Sequence, residues 1–87
     1  MLFRSEVLSP STRRGDLTRK RELYAADGVA WYWVIDPDAP SVTVFEQRHD
    51  ELVEVQHIGP GEAAETVGPY ALRLSPDELV RRVPRAD

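Results

Sequence analysis

Residues 29–36, VAWYWVID, constrain the fold more than any other stretch, because they are apolar on both parities. In an extended strand Val29, Trp31, Trp33 and Ile35 share one face, while Tyr32 and Val34 stand on the other. A strand with one solvated face alternates apolar and polar residues. A strand dressed on both sides belongs inside a sheet, with helix covering one of its faces. The rest of the chain must therefore supply both neighbouring strands and cover.

The flanking segments read as those parts. Residues 2–8, LFRSEVL, form a strand with poor alternation, followed by the turn cluster SPST at 9–12. Asp16 caps a helix reaching to about Ala26, with Leu17, Lys20, Leu23, Tyr24 and Ala26 at partial helical spacing. Asp27-Gly28 ends it, since glycine accepts the left-handed conformation cheaply. Beyond the connection at 36–40, SVTVFEQ and LVEVQHI around RHDE read as an antiparallel hairpin. GPGEAAETVGP reads as loop with a short strand near 65–67, and YALRL as a last short strand. Ser75-Pro76-Asp77-Glu78 has the form of a capping box with proline at the first helical position. Leu79, Val80 and Val83 continue that helix and Pro84 stops it. The expected fold is α/β (α+β): a mixed sheet with an antiparallel flank and two helices.

With 87 residues the chain suffices for one small domain, expected over 1–83 with a tail at 84–87. A hydrophobic share of 41% is that of a folding chain, not a disordered one. The lack of cysteine excludes disulfides, thiolate metal sites and a cysteine nucleophile, and points to the cytoplasm as the simplest compartment. No apolar run nears the roughly 20 residues needed to cross a bilayer, and the start lacks the pattern of a signal peptide. Net charge is −4 but uneven. Residues 1–30 hold six Lys/Arg against four Asp/Glu, and residues 31–87 hold five against eleven. The acidic total argues against a non-specific nucleic-acid binder, while the early basic strip remains compatible with a local phosphate contact.

The stretch EVLSPSTRRGDLTRKRELYAADGVAWYWVIDPDAPSVTVFE resembles the Uma-type restriction-endonuclease family of the PD-(D/E)XK nuclease superfamily, whose members show VEVLSPST, then spaced D, K, Y and GV, then YW.VDP. The resemblance covers about residues 3–79. It implies a restriction-endonuclease-like core and magnesium- or manganese-dependent hydrolysis of DNA phosphodiester bonds. Glu6 matches the strand carboxylate, and Lys20 the lysine that in this family stands on the following helix. Asp16 and Tyr24 match recurrent supporting positions. Glu6 and the carbonyl of Val7 would be metal ligands, with Arg13 and Arg14 as candidate phosphate contacts. The first acid of the family pattern has no counterpart among the five residues before Glu6. The chain therefore looks like the C-terminal half of a family domain, with catalysis impaired or absent in isolation. A non-catalytic interaction module is the alternative. An uncovered sheet edge and Trp-rich face would favour a homo-oligomer or self-association.

Other residues read more plainly. Trp31 and Trp33 are core anchors or interface, GPG at 59–61 is a turn, and neither His49 nor His57 has metal-ligand spacing around it. On spacing alone Glu6 and Lys20 are surface charges. Their pairing at one site is the expectation on which the mechanism depends.

Overall fold

The computed structural model describes residues 2–9 and 14–82, with only the backbone of 14, 15 and 80–82. Its elements run β1 (Phe3–Val7), α1 (Arg14–Ala26), β2 (Trp31–Asp36), β3 (Ser41–Arg48), β4 (Glu51–Ile58) and α2 (Pro76–Arg82). The four strands form one sheet in chain order, with β1 parallel to β2 and the β2–β3 and β3–β4 pairs antiparallel. The parallel pair requires a crossover, which α1 provides. β2 is internal, as its two-sided apolar dress demands.

Each face of β2 finds its cover. On one side Tyr32 joins Phe45, Leu52 and Ala25, with Tyr24 and Val34 packed against them; this cluster lies between sheet and α1. On the other, Trp33 joins Val42, Val44, Ile58, Val67 and Leu74, with Phe3, Trp31, Ile35 and Leu79 around them. The cover here is the segment 59–75 leading into α2. Trp33 Nε1 donates to the Gly68 carbonyl at 2.7 Å. The Trp31 indole lies so close over Gly68 that a Cβ there would sit 2.2 Å from Cζ3. The tryptophan face is thus roofed, contrary to the expectation that it stands open.

Local chemistry explains most boundaries. α1 ends in a Schellman motif: Gly28 at φ 79° donates to the Ala25 carbonyl at 3.1 Å, and Val29 to Tyr24 at 3.0 Å. The β3–β4 turn holds His49 at φ 51° and Asp50 at φ 65°, the left-handed pair of a type I′ hairpin. The chain at 59–62 is a turn closed by Glu62 N–H on the Gly59 carbonyl, with Gly61 at φ 75°.

Three local expectations are corrected. The helix begins at Arg14, so Asp16 lies in its first turn and is not the cap. No strand forms near 65–67 or at YALRL. The bridges Ala64–Leu74 and Val67–Tyr70 are isolated ones, because this segment crosses the sheet as a lid and does not extend it. α2 starts where the Ser-Pro pair places it, but Glu78 lies 3.8 Å from Arg73 and Asp77 accepts from Gly61 N–H, so the acids of its first turn tie down the lid.

Candidate functional site

β1 and α1 each bring one charged side chain to the same place. Glu6 stands opposite Val34, on the sheet face that α1 covers. Lys20 lies near the middle of α1, and its Nζ donates to Glu6 Oε1. The pair is half-buried, with 22% of the Glu6 side chain and 36% of the Lys20 side chain exposed, so solvent and a ligand reach it. The hydrogen bond to Glu6 is the chief cause that holds the Lys20 ammonium above its ordinary 10.5, against a smaller opposing effect of burial. Lys20 is therefore a cation at neutral pH. It can donate hydrogen bonds and offset negative charge, but in this state it is no proton acceptor.

The main chain of β1 adds a second feature. The Leu2 carbonyl accepts from Ala30, and Leu8 N–H donates to Ile35 at 2.8 Å. Alternation then turns the peptide groups of even residues toward β2 and those of Phe3, Ser5 and Val7 outward. The Val7 carbonyl thus faces the open edge of the sheet, one residue from the Glu6 carboxylate.

The supporting positions divide. Tyr24, one turn past Lys20, sets its ring edge-on to Tyr32 at 5.2 Å and is held by the core. Asp16 lies 3.9 Å from Arg19 in an exposed pair and does not bond Lys20 or Glu6. Arg13 lies outside the described residues and the Arg14 side chain outside the described side chains. Arg21 is partly buried, and its guanidinium lies 5.3 Å over the Phe45 ring.

Sequence reasoning missed Tyr32. It is 1% exposed, and its buried hydroxyl has no hydrogen-bond partner among the described residues. Burial first, and the Glu6 carboxylate second, push its phenol up to about 12. Parity alone put Tyr32 on the face opposite the tryptophans; only the β1–β2 register set it beside Glu6. A groove of about 470 Å³ runs along this face, lined among others by Leu8, Leu17, Arg21, Tyr32, Thr43 and Glu54.

Magnesium takes oxygen ligands and keeps several waters. The described residues offer it one carboxylate, already engaged by Lys20, and one outward carbonyl. No group of three His, Asp or Glu among them converges on a point. Asp36 is occupied by its own turn, accepting from Asp38 and Ala39 N–H. These residues do not by themselves fit the cation that the resemblance implies.

A mixed sheet with a parallel and two antiparallel strand pairs, its parallel pair linked by a helix, matches a restriction-endonuclease-like core. Residues 3–76 match the Uma2 family, described as "Putative restriction endonuclease", and the chain belongs to that family. It is also similar to a protein of Anabaena variabilis ATCC 29413, whose crystal structure is described as that of "a putative nuclease belonging to DUF820". The TM-score is 0.66 at 26% identity, and the likeness covers 91% of this chain and 43% of that one. The chain thus spans less than half the length of that relative. No curated protein matches it.

Proposed function

We infer that this domain contributes the strand-acid and helix-lysine part of an endonuclease centre acting on DNA phosphodiester bonds. The observation that carries this reading is the contact between Lys20 and Glu6, two residues fourteen positions apart that meet at a solvent-reachable point beside an open sheet edge. In this reading Lys20 stays protonated and offsets charge building on the phosphate, while Glu6 orients Lys20 and supplies an acceptor for a water molecule. Family membership and the likeness to a nuclease-titled structure support DNA as the substrate class. The second reading, a non-catalytic module, is favoured by one observation: among the described residues no group of three His, Asp or Glu gathers where it could hold a metal ion.

A plasmid-nicking assay in magnesium or manganese separates the two. Slow nicking by the wild-type chain, reduced about a hundredfold or more in both Glu6→Gln and Lys20→Met, is the expected result. Wild-type protein that leaves supercoiled plasmid intact in either metal leaves the module reading in place.

A further inference from the structure

The groove on the α1 side of the sheet takes no part in holding Glu6 against Lys20, yet it opens beside them. Tyr24 and Ala25 seal this face toward the end of α1. Nearer the start of α1 the face stays open as the groove of about 470 Å³, within the size range of pockets that hold small molecules. Val34 and Phe45 give it apolar sheet surface, and Leu8 and Leu17 give it apolar sides. Tyr32 belongs to the same lining, and its hydroxyl is the one buried side-chain polar atom without a partner among the described residues. A buried donor left unpaired is costly, so it marks a place where a ligand has an acceptor to offer.

The charge of the groove narrows that ligand. Among the described residues its lining holds one guanidinium, that of Arg21, and two carboxylates, those of Asp36 and Glu54. Such a lining repels a phosphate and suits a neutral ring with apolar faces and polar edges. The Tyr32 hydroxyl and the Arg21 guanidinium are donors for carbonyl oxygens on such an edge.

We propose that the groove holds an unpaired nucleobase, so that the substrate class is single-stranded DNA and not a duplex. The link to cleavage rests on the nuclease reading. Leu8 continues β1 by bonding Ile35, and it stands two residues beyond Glu6 on the same face, about 7 Å along the strand. A base in the groove therefore leaves its sugar–phosphate link beside Lys20, the cation suited to it. A paired base would first have to leave its stack, a cost that a single strand does not bear. The net charge of −4 agrees with this division: affinity comes from the face and edge of a base, not from a track of phosphates.

Fluorescence anisotropy with a short labelled oligothymidylate, alone or annealed to its complement, tests this in EDTA. No metal is present, so binding is read whether or not the chain cleaves, and failure here is distinct from failure of the nicking assay. The full chain is expected to bind the single strand about tenfold or more tighter than the duplex. Tyr32→Phe removes one hydroxyl and keeps the ring, and circular dichroism should show it folded. It is expected to lower single-strand affinity about threefold or more and to leave duplex binding unchanged. Thr43→Trp places an indole in the groove and is expected to remove the preference. Thymidine monophosphate is expected to compete only at far higher concentration than the strand. Failure to bind the strand, or equal affinity for strand and duplex, overturns the proposal. So does a preference that Tyr32→Phe leaves unchanged. Thymidine monophosphate that binds as tightly as the strand overturns it too, since the groove would then serve a free nucleotide.

Discussion

Tyr32 is the residue whose physics is least conventional. A buried hydroxyl without a partner gives up its bonds to water and gains nothing in return, a cost of about 1–3 kcal/mol. Tyr32→Phe keeps the ring contacts with Tyr24 and Phe45 and removes that cost, so it should raise stability in urea by about 1 kcal/mol. The same burial gives the phenol a pH signature. Its value rises from 10.0 to about 12 on folding, so its contribution is complete below pH 10 and is lost as pH climbs toward 12. Lys20 acts in the same direction, since its value is also raised by folding. Stability attributable to these two groups should stay level from neutral pH to about 10 and fall beyond it. A tyrosinate absorbance component near pH 12 that disappears in Tyr32→Phe would identify the group. If that component persists in the variant, the assignment is wrong.

Among the elements, the lid at 59–75 decides most, because it turns a one-sided sheet into a two-sided one. Its seat is Gly68, where the Trp31 ring leaves no room for a methyl group. Gly68→Ala should destabilise the domain by about 1–3 kcal/mol through overpacking, read as a lower urea midpoint at unchanged slope. Gly28→Ala places a side chain at φ 79° and should cost about 1 kcal/mol by straining the end of α1. Here space is open around the Cβ, so the penalty comes from the backbone alone. Signals of this kind were legible: Asp27-Gly28 as a stop, RHDE as a tight turn, Ser-Pro as a helix start. YALRL was misread because its alternation is that of a strand. Only Tyr70 and Leu74 find bridging partners, and Leu72 remains 40% exposed.

Taken whole, the molecule measures 34 × 31 × 17 Å, a sheet with a helix layer on one face and a thin lid on the other. The two apolar clusters are not separate bodies, since Tyr32 and Trp33, adjacent on β2, anchor one each. Thermal unfolding should therefore be a single transition, with tryptophan fluorescence and far-ultraviolet circular dichroism coincident. Two resolved steps would show that the lid unfolds on its own. Among the described residues no helix is long and apolar enough to cross a membrane. Residues 84–87 lie outside the described residues, and the expectation that they form a tail is checked by deleting them, with the melting temperature unchanged. What the sequence determined by itself was local: a two-faced central strand, the hairpin and its turn, the stop of α1 and the start of α2. These follow from backbone sterics and side-chain period, which act over a few residues. Only the tertiary structure decided that Lys20 reaches Glu6, that Tyr32 lies buried beside them, and that Gly68 seats the lid on Trp31. Those contacts join residues from 14 to 37 positions apart, and they depend on strand register and helix placement, which no local pattern encodes.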